Sequence, residues 1–339
     1  MGRGAGRRRY APEAPSSAML DVLFLLAGFY LLAKGADALV EGAATLATRW
    51  GMDRWVVGLT VVAWGTSLPE VVVSGLAAHA GSPGQALGNV LGSNVANAGL
   101  VLGAVGLILP RALVGRLSVR ESAPLILSLA LLHFMLRDEV LTRIEAGVMT
   151  LLFVAYTFEL IFLRGRGTQS PPADIEEEET QASRPWLRTI LGSVAIGLGA
   201  KLVIDGATGL ALEFGLDDGF VGIVIFALGT SLPELTAGIA SARKGHTEIG
   251  LGNIVGSNVF NTLAVVGISG LVAPFQASGA EDDRWPEAVG NALQRDLPVN
   301  AAFALMLVFG PPLFRGRLAR QRAAFLLVAW LAYVVAIAP

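Results

Sequence analysis

Glu70 and Glu234 each close the hexapeptide GTSLPE, at 65–70 and 229–234, inside long apolar stretches. An ionised carboxylate near the centre of a bilayer costs at least about 2.5 kcal/mol and is kept only with a partner. No Lys or Arg falls at comparable depth in the surrounding apolar runs, so the partner expected is a bound cation. Thr66, Ser67, Thr230 and Ser231 set hydroxyls beside the two acids. Pro69 and Pro233 have no amide hydrogen and clash with the preceding turn, so both helices are expected to kink or open there and free backbone carbonyls.

A second pair of motifs, GNVLGSN ending at Asn97 and GNIVGSN ending at Asn261, interleaves small residues with amides and hydroxyls. Ser93 and Asn97 are four apart, as are Ser257 and Asn261, which puts each pair on one face of a helix. Asn89, Asn94, Asn253 and Asn258 either join that ligand set or bond helix to helix. The set is all oxygen, which suits Ca²⁺ and Na⁺, whereas transition metals favour imidazole or thiolate. Two carboxylates carry a charge that one Ca²⁺, two Na⁺ or two protons would each neutralise, so one pocket can hold these ions in turn.

The elements that position these residues are membrane spans. Of 339 residues 53% are apolar and 15% charged, against about 25% charged in soluble domains, which argues against a soluble enzyme. Apolar runs near 20–47, 55–79, 86–109, 119–136, 141–163, 187–212, 219–242, 248–272, 297–314 and 323–338 are each about long enough to cross the bilayer. The absence of Cys excludes disulfides and zinc–thiolate sites, and a net charge of −2 without a basic stripe excludes nucleic acid.

The chain also repeats itself at a shift of 164: across residues 41–107, 29 of 67 positions are identical without a gap. A unit of five spans, being odd, enters the membrane in opposite orientations in its two copies, so the repeats are related by an axis in the membrane plane. The fold expected is an all-α polytopic membrane protein of about ten transmembrane helices in two inverted five-helix repeats, at 19–163 and 187–339. Between them, residues 164–186 read as a solvated linker rich in Gly, Pro and Glu. Lys and Arg in the short connections favour N-out and C-out with that linker cytoplasmic. The basic tail 1–18 disagrees, and because Met19 stands directly before the first apolar run, residues 1–18 are expected to be an upstream extension from a misplaced start that the natural protein lacks.

At the two motifs the sequence resembles the calcium/cation antiporter superfamily, in particular prokaryotic members of its sodium/calcium exchanger group. The regions 58–107 and 222–271 look like that family's two alpha repeats. The resemblance implies a secondary antiporter exchanging Ca²⁺ for Na⁺ by alternating access, with Glu70 and Glu234 bridging the ions. It implies that Thr66 and Thr230 offer hydroxyl or carbonyl oxygens and that Ala63 and Ala227 offer carbonyls one turn earlier. Ser67, Ser231, Ser93 and Ser257 would complete flanking sodium sites, with Asn97 and Asn261 facing the middle. It further implies sliding of the first and sixth spans across the rest, eased by Gly28, Gly35, Gly192, Gly197 and Gly199. Sodium-coupled members often carry Asp where Asn261 stands, so Ca²⁺/H⁺ exchange at the same site is the alternative.

A cation channel is disfavoured because a paired-carboxylate trap holds its ion too tightly for easy exit. An intramembrane hydrolase lacks an accompanying nucleophile or metal–water motif. The expected partners are Ca²⁺, Na⁺ or H⁺ and the lipid bilayer, with no cofactor and no obligate protein partner, in a prokaryotic inner membrane. Lys34 and Lys201 are expected to snorkel or pair with Asp37 and Asp205. Trp50, Trp55, Trp186 and Trp285 are expected to anchor span ends at the interface.

Overall fold

A computed structural model describes residues 16–109, 119–164, 183–214, 229–277, 284–313 and 318–337. Ten helices are formed within them: α1 Ser16–Trp50, α2 Arg54–His79, α3 Pro83–Ile108, α4 Val119–Met135 and α5 Arg143–Phe158 in the first repeat. The second holds α6 Pro185–Glu213, α7 Leu232–Arg243, α8 Thr247–Val272, α9 over residues 285–313 and α10 Leu318–Ile337. Seven of the ten are long and apolar enough to cross a membrane. The protein is an all-α polytopic membrane protein. The linker 165–182 and the tail 1–15 lie outside the described residues.

The repeat seen in sequence is reproduced in the backbone. α3 and α8 begin and end at positions 164 apart. The turns before them match as well: Gly81 and Gly245 both take left-handed φ, 77° and 75°, where a side chain would be strained. Each turn closes with the same pattern, Ser82 donating to the Ala77 carbonyl and His246 to the Ser241 carbonyl.

α1 and α6 run antiparallel along a glycine seam. A Cβ at Gly28 would lie 2.8 Å from the Gly199 carbonyl oxygen, one at Gly35 2.9 Å from that of Gly192, and one at Gly42 2.8 Å from that of Pro185. Gly28, Gly35 and Gly42 recur every seven residues, as do Gly192, Gly199 and Gly206, so two backbones meet over several turns. These glycines therefore bind α1 to α6. Gly197 is off the seam and faces Pro69 of α2 at 3.8 Å. The outer faces of the pair carry Leu23, Leu26, Phe29, Leu191, Val194 and Leu198 in exposed positions, as lipid contact requires.

Several expectations are corrected. α9 begins at Trp285, twelve residues before the expected start, and continues through a π-helical turn Ala292–Asp296. Trp285 is 2% exposed, donates its Nε1 to the Glu139 carbonyl at 2.7 Å and packs edge-on against Phe275, so it plugs a helix junction and does not anchor at an interface. Lys201 pairs with Asp205 at 2.6 Å as expected, but Asp37 lies against Lys244 at 3.5 Å. Lys244 also reaches Glu41 at 2.6 Å, and Arg188 reaches the same carboxylate at 3.1 Å, which ties α1 to α6 and to the turn after α7.

Candidate cation site

α2, α3, α7 and α8 cross in the interior and bring both copies of both motifs together. α8 is the most buried span of those long enough to cross, and its glycines permit the crossing: a Cβ at Gly252 would lie 2.6 Å from the Trp55 carbonyl oxygen, and one at Gly256 would meet that of Leu59. Glu70 and Glu234 are both 0% exposed and near enough to act on one another's charge. Ser67 of the first repeat donates to Glu234 Oε1 of the second at 3.0 Å, so the two halves share one cluster.

The helices depart from α geometry around the acids, though not alike. α2 runs unbroken over Pro69; its irregularity is a π-helical turn, Gly58–Val62, just before the motif. Pro69 still withholds a donor from the Gly65 carbonyl one turn back. In the second repeat Thr230 and Ser231 are turn residues and α7 starts at Leu232, so the chain opens before Pro233. The expected break is thus present at Pro233 and absent at Pro69. Sequence reading missed a matched pair of π-helical turns, Asn97–Val101 and Asn261–Val265. Such turns are frequent at functional sites, and the only signal for them in sequence was the repeated asparagine that begins each.

Nearly every residue singled out from sequence is in this cluster. Thr66, Ser67, Ser93, Asn97, Thr230, Ser231, Ser257 and Asn261 are all buried, and Ala63 is 0% exposed. Ala227 lies outside the described residues. The Thr66 hydroxyl is 3.3 Å from the Ala63 carbonyl, 3.1 Å from Asn253 Oδ1 and 3.5 Å from Ser257 Oγ, and both hydroxyls also approach Glu234. Asn97 donates its amide to Asn258 Oδ1 at 3.0 Å and Asn258 donates to the Asn94 carbonyl at 3.2 Å. Asn94 in turn donates to Thr262 at 3.0 Å.

The oxygens left over define what the cluster can do. Among the described residues both oxygens of Glu70, Glu234 Oε2, Asn97 Oδ1, Ser93 Oγ, Ser231 Oγ and both amide atoms of Asn261 are buried without a hydrogen-bond partner. A buried polar atom left unpaired costs about 1 to 3 kcal/mol, more if charged, and three of these orphans are oxygens of the two acids themselves. A cation held by several oxygens would satisfy them together. No group of three or more His, Cys, Asp or Glu that could hold a metal ion is found among the described residues.

A family model described as sodium/calcium exchanger protein matches residues 20–162 and 185–338. CaxA of Alkalimonas amylolytica is 38% identical over 265 residues, covering 76% of this chain and 82% of that protein. The sodium/calcium exchanger MaX1 of Methanosarcina acetivorans is 31% identical over 298 residues, covering 76% of this chain and 85% of that protein. The solved structure of the sodium-calcium exchanger NCX_Mj superposes with a TM-score of 0.75 at 25% identity, covering 94% of this chain and 99% of that one.

Proposed function

The chain belongs to the sodium/calcium exchanger protein family, and on that premise we propose that it exchanges Ca²⁺ for Na⁺ by alternating access at the Glu70–Glu234 cluster. The observation that carries this reading is that two carboxylates, one from each inverted repeat, are both fully buried, with Ser67 of the first repeat bonded to Glu234 of the second and both oxygens of Glu70 unpaired among the described residues. Their combined charge matches one Ca²⁺ or two Na⁺. Ion exchange then needs no separate pockets, because each cargo removes the charge imbalance that the other leaves.

In this reading Glu70 and Glu234 bridge the ion. Thr66, Thr230, Ser67, Ser231, Ser93 and Ser257 supply hydroxyl or backbone oxygens, Asn97 and Asn261 supply amide oxygens, and Ala63 and Ala227 supply carbonyls. The first repeat occupies residues 19–163 and the second 187–339, with 164–186 as a cytoplasmic linker. The protein sits in a prokaryotic inner membrane with both termini outside; the similarity to the inner membrane protein YrbG of Escherichia coli, 34% identical over 267 residues, supports that location.

A second reading, Ca²⁺/H⁺ exchange, is favoured by one observation: both central amide positions, Asn97 and Asn261, are uncharged, which leaves only two carboxylates to trade a divalent ion for protons. Uptake of ⁴⁵Ca²⁺ into proteoliposomes loaded with Na⁺ or with acidic buffer separates the two. Uptake driven by outward Na⁺ and abolished by Glu70→Gln supports sodium exchange. Uptake driven only by the proton gradient selects the second reading, and no uptake under either gradient sinks both.

A further inference from the structure

Two amides on α8 accept hydrogen bonds from other residues of the cluster. Asn253 is 0% exposed, and its Oδ1 receives the Thr66 hydroxyl at 3.1 Å and the Ser257 hydroxyl at 3.4 Å. Asn258 is 4% exposed, and its Oδ1 receives the Asn97 amide at 3.0 Å. In each case a carbonyl oxygen takes the proton-bearing side of a site residue. What is left over on the other side is oxygen: Asn97 Oδ1 is buried without a partner among the described residues.

We propose that Asn253 and Asn258 are positioning residues that hold the protons of Thr66, Ser257 and Asn97 away from the ion, so that these three side chains present lone pairs to it. This rests on the Glu70–Glu234 cluster being the transport site. A hydroxyl has one proton and two lone pairs. Were Asn253 absent, Ser257 and Thr66, the latter left with only the Ala63 carbonyl at 3.3 Å as an alternative, would turn their protons to Glu234, which both approach. They would then turn hydrogens toward the place where a cation must bind. Asn253 offers the alternative acceptor, so both hydroxyls can release Glu234 when an ion arrives and still keep their protons paired. Asn258 acts on Asn97 in a simpler way. By accepting its N–H it fixes which end of an otherwise reversible amide points inward, and its own amide is anchored on the Asn94 carbonyl at 3.2 Å.

Neither residue type nor position singles out these amides, since GNVLGSN and GNIVGSN hold both kinds. The distinction is in their partners. Asn89, the repeat counterpart of Asn253, donates to Ser74 at 2.9 Å, and Asn94, the counterpart of Asn258, donates to Thr262. On α8 it is the acceptor end of each amide that meets a site residue.

The test compares Asn253→Leu, which removes the acceptor, with Asn253→Gln, which keeps a neutral amide oxygen and adds no charge, in ⁴⁵Ca²⁺ uptake by proteoliposomes. Asn300→Leu is the control for losing a buried amide; Asn300 bonds the Leu91 and Asp296 carbonyls and lies outside the cluster. Partners that orient metal ligands typically change affinity about 10- to 100-fold when removed. Asn253→Leu is therefore expected to raise the KM for Ca²⁺ at least about tenfold with kcat little changed, while Asn253→Gln raises it clearly less and Asn300→Leu lowers only the melting temperature. If Asn253→Leu does not fold, Asn253→Ser, too short to reach both hydroxyls, is expected to show the same rise. A normal KM in the acceptor-free variant, or an equal rise in Asn253→Gln, overturns the proposal while wild-type uptake abolished by Glu70→Gln leaves the transport reading standing. A wild type that carries no Ca²⁺ overturns both.

Discussion

The Ser67 hydroxyl donates to Glu234 across the interface between the two repeats, 3.0 Å from oxygen to oxygen. The bond joins the regular part of α2 to the first turn of α7, and it fixes one oxygen of a carboxylate whose other oxygen is unpaired. A hydrogen bond to a charged group contributes about 1.5 to 3 kcal/mol. Ser67→Ala is accordingly expected to weaken apparent Ca²⁺ affinity by roughly tenfold or more, read as a rise in KM for ⁴⁵Ca²⁺ uptake. An unchanged KM would show that Glu234 is positioned by other contacts.

Asn261 is 0% exposed and neither of its amide atoms has a partner among the described residues. Asn261→Asp would place a third carboxylate in the cluster, which one Ca²⁺ no longer neutralises. The expected outcome is a several-fold fall in the Na⁺ concentration needed to drive half-maximal Ca²⁺ uptake, measured by varying Na⁺ at fixed pH. No gain in sodium dependence would mean that Asn261 faces away from the ions.

The α1–α6 seam has no room for side chains. Gly35→Leu would set a Cβ 2.9 Å from the Gly192 carbonyl oxygen and the Ile196 nitrogen, which requires two backbones to separate. Overpacking of this kind costs about 1 to 3 kcal/mol or more, so the variant is expected to melt earlier in detergent. Gly147→Ala in α5 is the contrast: its Cβ would meet only Leu271, at 3.8 Å, and the better helix propensity of Ala favours it by up to about 1 kcal/mol. Equal melting temperatures for the two would refute the seam.

Lys244 follows α7 and holds Glu41 and Asp37 of α1 at 2.6 and 3.5 Å. Burial alone would pull its pKa down, but the hydrogen bond and charge of Glu41 and the charge of Asp37 leave it raised above the ordinary value of 10.5. A raised folded-state pKa contributes stability that is complete below the unfolded value and lost as pH rises through the folded one. Lys244→Ala should therefore narrow the difference in melting temperature between neutral and strongly alkaline buffer. Because such pairs near a surface are worth about 0 to 1 kcal/mol, the shift at neutral pH is expected to be small, and a large one would point to a further role for the residue.

Sequence by itself determined the architecture and placed acids, hydroxyls and amides inside apolar spans. A self-match of 29 in 67 positions at a shift of 164 means that one fold is used twice. An odd number of spans inverts the second copy, and apolar length alone forces helices through the bilayer. The acids, hydroxyls and amides of the site were legible because an unpaired polar group in an apolar span is too costly to keep without a use. Sequence could not decide the partners, because two nearly identical motifs leave every asparagine equivalent until the helices cross. Only in the folded chain does Asn253 receive two hydroxyls while Asn89 bonds Ser74, and only there does Pro69 lie within a continuous helix while Pro233 follows an opening. The reason is that hydrogen bonds between helices depend on crossing geometry, which is set by glycines such as Gly252 and Gly256 on one helix and by whatever backbone they meet on another. Trp285 shows the same rule at an apolar site: its position in sequence suited a membrane interface, yet the Phe275 ring and the Glu139 carbonyl, the latter 146 residues away along the chain, close around it.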